Sequence, residues 1–202
     1  MNTNPAITIS RSLGSGGTGI ALATSRLLGW HFIDRRIMRL AAEATGKPAR
    51  VIAWQEEHRQ GFWDHLLAVL AMGTSESRYV PLMEIPIYTK ELYQLERRLM
   101  FKVLDHAPSV IVGRGGFVAL KGRPATLHVS IHAPRDLRVR SLVARGRAAD
   151  EDAALEAIEA SDRSREDYIR AISALDWHDP SNFHLVLVPT DMNPDTWAAQ
   201  VV

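Results

Sequence analysis

The chain has 202 residues, 46% hydrophobic and 23% charged, which is enough for one α/β domain with a full core and argues against a disordered chain. A formal net charge of +1 supplies no field that would draw it onto nucleic acid or an anionic membrane. Without cysteine there can be no disulfide, thiolate metal site or cysteine nucleophile.

Arginine makes up 20 of the 24 basic residues, a bias that suits phosphate ligands and that GC-rich coding would equally produce. Residues 1–5 are short, polar and uncharged, and no apolar run approaches a membrane span, so a cytoplasmic location is expected. Residues 6–10 (AITIS) form a β-branched run that ends in a glycine-rich turn at 14–19, and an apolar helical stretch comes next over 20–28. A second short strand is expected at 30–33, closed by Asp34, with an amphipathic helix to about Thr45 and a break at Gly46-Lys47-Pro48. From 49 to 106 the pattern is mostly helical, with a loop over 73–86. Residues 108–112 (PSVIV) read as a buried strand, ending in the turn Gly113-Arg114-Gly115-Gly116. Another strand is expected at 126–132.

Two helices of opposed charge come next. Residues 134–147 carry five arginines, and 150–174 are rich in acids with arginines interspersed. A polar turn over 176–182 leads to a last strand at 184–188. Asn193 then suits an N-cap, with Pro194 opening a terminal helix. Strands alternating with helices imply a parallel sheet covered on both faces, with the binding crevice at the carboxyl ends of the strands. Asp34 and both glycine-rich turns fall there.

A strand, a glycine loop and a helix in succession point backbone N–H groups and a helix N-terminus at an anion. Which anion the loop alone leaves open. Gly14, Gly16 and Gly19 match G-x-G-x-x-G, and Asp34 stands where a ribose-binding acid could, 15 residues beyond Gly19. Against that dinucleotide reading, the first glycine trails its strand, Asp34 comes early, and there is no Tyr-x-x-x-Lys pair for reductase chemistry. Aligned instead to the P-loop pattern G-x-x-x-x-G-K-[ST], only Gly16 and Thr18 survive, because Arg11 occupies the first glycine and Gly17 the lysine.

The turn and four later segments of the chain together resemble the cytidylate kinase-like family. Ile7-Thr8-Ile9-Ser10-Arg11-x-x-Gly14-Ser15-Gly16-Gly17 is similar to that family's opening, and Leu28-Gly29-Trp30-His31-Phe32-Ile33-Asp34 to the second-strand segment of cytidylate kinases. Val110-Ile111-Val112-Gly113-Arg114 resembles the third-strand Gly-Arg turn, and Asp162-Arg163-Ser164-Arg165 the Asp/Arg cluster. Asp176-Trp177-x-Asp179-Pro180-Ser181-Asn182-Phe183 resembles the stretch before the last strand, so the matches run in order from residue 7 to about residue 190.

The resemblance implies a three-layer α/β fold of the P-loop nucleoside-monophosphate-kinase type, a single domain over 1–202. It would carry a helical acceptor-binding insertion at about 47–107 and a lid near 135–172. It also implies phosphoryl transfer from ATP with Mg²⁺ to a nucleoside monophosphate or related small phosphorylated acceptor. Nucleotide substrates are then the expected partners, and a homodimer stays open. On the same ground Gly14, Ser15, Gly16, Gly17 and Thr18 would hold the ATP phosphates. Arg114, with Asp34 and Arg35, would face the acceptor, and Arg11, Asp34, Arg163 and Arg165 would serve the transfer. The chain departs from cytidylate kinases at Gly115, where they carry an aspartate, and at Arg35-Arg36, where they have Ser-Gly. Both departures argue against CMP as acceptor. The missing lysine keeps a second reading in play, a degenerate kinase that binds nucleotide as a regulatory module; an NAD(P)-dependent reductase is the third.

Bland roles compete with these. Thr18 suits a Mg²⁺ ligand or a helix N-cap, and Asp34 suits an N-cap as well as a site residue. Against its phosphate role, Arg114 could be a surface arginine or the partner of a structural carboxylate. Most of the arginines over 135–147 are expected in surface ion pairs. His128 and His132, on one strand face, suit packing or hydrogen bonding better than zinc. Trp54, Phe62 and Trp63 with Leu66, Leu67 and Leu70 form an amphipathic stripe for core or dimer packing, or a wall of the acceptor pocket.

Overall fold

A computed structural model describes residues 3–34 and 90–202. Arg35, the aromatic stripe at 54–70 and most of the expected insertion lie outside the described residues. Strands β1 (Ala6–Arg11), β2 (His31–Ile33), β3 (Ser109–Val112), β4 (Thr126–Ile131) and β5 (Leu185–Leu187) form one sheet in the order β2-β3-β1-β4-β5. All four pairings are parallel, with Ile9 opposite Val112 on one side and Val129 on the other.

The described helices are α1 (Gly17–Leu28), α2 (Lys90–His106), α3 (Gly116–Ala119), α4 (Arg135–Ala144), α5 (Glu151–Ile172) and α6 (Pro194–Ala198). Alternation along each strand sorts the two faces. Ile7, Ile9, Val110, Val112, Val129 and Ile131 pack with Ile20, Ala21 and Ala23 of α1 and Ala198 of α6. Ala6, Ile33 and Ile111 pack on the other face with Leu99, Met100, Val103 and Leu104 of α2, Phe117 of α3, and Tyr168 and Ile169 of α5. Each of the fully buried branched side chains contributes roughly 1.5–3 kcal/mol.

Element ends follow local chemistry. Helix α1 begins three residues before the expected apolar stretch, with Gly16 as N-cap at φ 75°, so the loop feeds straight into its first turn. Asp150 caps α5 by accepting from the Ala153 N–H, with Glu151 and Asp152 against the positive end of the dipole. Asn193 caps α6, accepting from Asp195, and Pro194 takes the first helical position. Helix α4 stops at Ala144, so Arg145 and Arg147 leave the helical faces expected for them. Among the described residues no helix is long and apolar enough to cross a membrane.

The strand order disposes of the dinucleotide reading. In that fold the second strand lies beside the first and brings its terminal acid to the glycine loop. Here β3 intervenes between β2 and β1, which sets Asp34 one strand away.

Candidate active site

The carboxyl ends of β1 and β3 open onto two glycine-rich turns. In the first, the buried Ser15 hydroxyl donates to Ser12 O at 2.8 Å and accepts from the Gly17 N–H at 3.3 Å. The Ser15 N–H turns back to Ser12 O at 3.4 Å. Ser15 therefore builds the loop, and the donors left for an anion, among the described residues, include the N–H groups of Gly16, Thr18 and Gly19. Thr18 is exposed in the first turn of α1, one residue beyond its start. The N-cap role considered for it belongs to Gly16.

The second turn holds Gly113, Arg114 and Gly115 at φ 72°, 55° and 63°. For arginine this is a sparsely populated conformation, costing on the order of 1 kcal/mol or more unless neighbours hold it. They do. Arg114 Nη2 forms an ion pair with Glu96 of α2, whose side chain is 4% exposed, and Tyr168 of α5 donates to the other Glu96 oxygen at 3.2 Å. Arg114, expected as a fork for the acceptor phosphate, thus has one arm committed to a core carboxylate.

Where the end of β1 meets the second turn lies a cavity of about 40 Å³, lined by Ser10, Arg11, Gly113, Arg114, Arg165, Tyr168 and Trp177 among others. Three arginines, Arg11, Arg114 and Arg165, line this small cavity, with Glu96 paired to Arg114 and Asp162 to Arg165. Arg165 reaches it from α5, braced on Ser161 O at 3.1 Å and Ser161 Oγ at 2.5 Å, with its Cζ 6.0 Å from the Trp177 ring. Trp177 is buried and donates its indole N–H to Ser10 Oγ at 2.7 Å. Asp34 is half-buried at the end of β2. Arg163 is exposed on α5 and does not line the cavity.

Helices α4 and α5, the expected lid, sit directly on the loop. Arg138 donates from Nε to Leu13 O at 2.7 Å and from Nη2 to Asp162 at 2.5 Å, and Asp162 also pairs with Arg165 at 3.5 Å. A Cβ on Gly14 would lie 2.8 Å from the Arg138 carbonyl oxygen. Arg138 is a site residue that the sequence does not single out, one of five arginines with nothing local to distinguish it. Arg135 and Arg140 instead make exposed pairs with Glu159 and Asp136, as expected for that helix.

Beneath the turns, one sheet face carries polar side chains that satisfy one another. His128 bonds Thr8 Oγ1 at 2.7 Å and stacks on His184 at 5.0 Å between centroids. Burial, then His184, pushes the His128 pKa down to about 4. His132 bridges Ser130 at 2.8 Å and Ser12 at 3.2 Å, which anchors the loop's first residue. Burial foremost, then His178, holds the His132 pKa below its ordinary value, with Asp162 pulling the other way. Both histidines take the hydrogen-bonding role expected of them.

A model of the cytidylate kinase-like family matches residues 6–190. An uncharacterised protein from Eubacterium ventriosum has a similar structure, with TM-score 0.67 at 17% identity, covering 98% of this chain and 96% of that one. A shikimate kinase from Bacteroides thetaiotaomicron gives TM-score 0.51 at 12% identity, covering 98% and 95%. One from Acinetobacter baumannii, in complex with shikimate, gives 0.50 at 15%, covering 98% and 91%. At such identities the likeness establishes the fold, a five-stranded parallel α/β sheet of the P-loop kinase type. No curated protein matches the sequence.

Proposed function

Because the chain belongs to the cytidylate kinase-like family over residues 6–190, we propose that it transfers a phosphoryl group from ATP, with Mg²⁺, to a small acceptor that already carries a phosphate. The observation that carries this is the cavity lined by Arg11, Arg114 and Arg165, set beside the open N-terminus of α1 on the same sheet edge. One anion site then lies next to another, the arrangement an in-line transfer between two phosphates requires.

The residues fit ATP and Mg²⁺ by their donor chemistry. The N–H groups of Gly16, Thr18 and Gly19 hold the nucleotide phosphates, Gly14 and Gly17 give the loop its close fit, and the exposed Thr18 hydroxyl is the Mg²⁺ ligand. Magnesium supplies charge neutralisation across the phosphates. An acceptor oxygen bonds to the γ-phosphorus as the bond from that phosphorus to the β,γ-bridging oxygen breaks, and ADP departs with the electron pair. Arg165 and the cavity-facing side of Arg114 hold the acceptor's own phosphate, while Asp34 stands by at the end of the neighbouring β2. The acceptor is not selected as cytidylate kinases select theirs. A Cβ on Gly115, at φ 63°, would lie 2.5 Å from the tip of Ile172, so an aspartate there would be strained and would require Ile172 to shift.

ADP release with a panel of nucleoside monophosphates tests the reading. Turnover is expected with at least one phosphorylated acceptor, and Arg114→Lys should raise that acceptor's KM about tenfold with ATP affinity unchanged. Gly17 in the lysine position favours one competitor, a module that binds nucleotide without turnover. A wild type that binds ATP and phosphorylates nothing establishes that competitor.

A further inference from the structure

The loop departs from G-x-x-x-x-G-K-[ST] at two positions, Arg11 and Gly17, and the structure shows that the two departures are one. A Cβ on Gly17 would lie 2.6 Å from Arg11 Cβ and 3.1 Å from Arg11 Cγ. The nearer atom is the root of the arginine side chain, fixed by the backbone of β1, so no change of rotamer relieves the overlap. From that root the side chain runs to the neighbouring strand end, where a Cβ on Gly113 would lie 2.5 Å from Arg11 Nη1. There the overlap involves only the flexible tip. Arg11 therefore leaves the loop from the place where a lysine at 17 would start, and carries its charge to the seam between β1 and β3, on the anion cavity.

We propose that positions 11 and 17 have room for one side chain between them, and that Arg11 supplies from the strand end the positive charge that a lysine at 17 supplies in the literal loop. Arg11→Gly with Gly17→Lys makes residues 11–18 read Gly-Ser-Leu-Gly-Ser-Gly-Lys-Thr, which satisfies every position of the motif. The role of the charge rests on the proposal that the loop binds nucleotide. The exclusion does not.

Two measurements separate these halves. For the exclusion, Gly17→Ala is placed in three backgrounds and melting temperature is read. With Arg11 present, Tm should fall by about 5 °C or more, the effect of forcing one carbon into filled space. In an Arg11→Ala background, which keeps the offending Cβ, it should fall as far. In an Arg11→Gly background it should move by less than about 2 °C. Equal falls with and without the residue-11 Cβ overturn the exclusion.

For the charge, ATP affinity is measured calorimetrically. Arg11→Ala should weaken it about tenfold or more, the scale of one charge-assisted hydrogen bond. Arg11→Gly should do the same, and adding Gly17→Lys to it should bring affinity back to within about threefold of wild type. Wild-type affinity in Arg11→Ala overturns the role, as does a well-folded double variant that recovers nothing. A wild type that binds no ATP overturns the role and the nucleotide reading together, and the melting series still decides the exclusion.

Discussion

Residues 12–16 and residues 113–115 close neighbouring parallel strands, yet different forces hold their backbones. In the first turn the serine and glycine fastenings are near in sequence, the Ser15 hydroxyl on Ser12 O, the Gly17 N–H on Ser15 Oγ and Gly16 opening α1, while Arg138 on Leu13 O and His132 on Ser12 add two distant ones. In the second, an arginine at positive φ is held by Glu96 and, through it, Tyr168, from helices 18 and 54 residues away (114 − 96 and 168 − 114). A turn with several local fastenings should tolerate the loss of any one distant partner. A turn fastened by a remote carboxylate should not.

The sharpest way to break this contrast is Glu96→Ala. It leaves the Arg114 guanidinium, 15% exposed, without its carboxylate, and should cost about 3–5 kcal/mol in chemical denaturation. Surviving protein should lose acceptor affinity before ATP affinity. Gly14→Ala attacks the other turn, through φ 80° and the Arg138 carbonyl 2.8 Å from the new carbon. It should cost about 2–3 kcal/mol and weaken ATP binding, with Arg114 and its acceptor undisturbed. Equal damage to both ligands from either variant would mean the turns are one mechanical unit.

The sheet floor shared by the turns gives a smaller, pH-dependent effect. His128 titrates near 4 when folded, below the ordinary 6.5, because it is buried and lies against His184. The unfolded chain therefore binds the extra proton between those values. The neutral ring's stabilisation is complete above about pH 6.5 and is lost as pH falls toward 4, a change on the order of 3 kcal/mol. In His128→Gln the dependence of urea midpoint on pH should flatten across that window. An unchanged slope would assign the titration to another group. Smallest of all, Arg135→Ala removes an exposed pair with Glu159 and should change stability by less than about 0.5 kcal/mol, beside the far larger cost of losing Glu96.

The same contrast explains what could be read from the sequence. All five strands lie where short apolar runs bounded by glycine, proline or aspartate placed them, because burial on both faces of a parallel sheet leaves that mark. The cap at Asn193 and the loop ahead of α1 were legible for the same reason, since their chemistry is local. Glu96, Arg138 and Trp177 were not recognisable as builders of the site. Glu96 looks like any charge on an amphipathic helix, and only packing reveals that it is 3% exposed and faces Arg114. Arg138 differs from Arg135 and Arg140 by the helix face that meets Leu13, a relation 125 residues long. Arg165 was singled out by the family pattern and lines the cavity, whereas its neighbour Arg163 shares the pattern and points to solvent.

The 2.6 Å separating Arg11 Cβ from a carbon on Gly17 also constrains history. A loop carrying lysine at 17 and a loop carrying arginine at 11 differ at two positions, and either position can change first. One path passes through a loop with both side chains, which does not fit; the other passes through a loop with neither, which fits and lacks the cation. Under the proposed exclusion the second path is the easier one, and on it the loop would for a time lack a cation from either position. Relatives caught at that stage would carry glycine at both positions, and the order of change could be read from them directly.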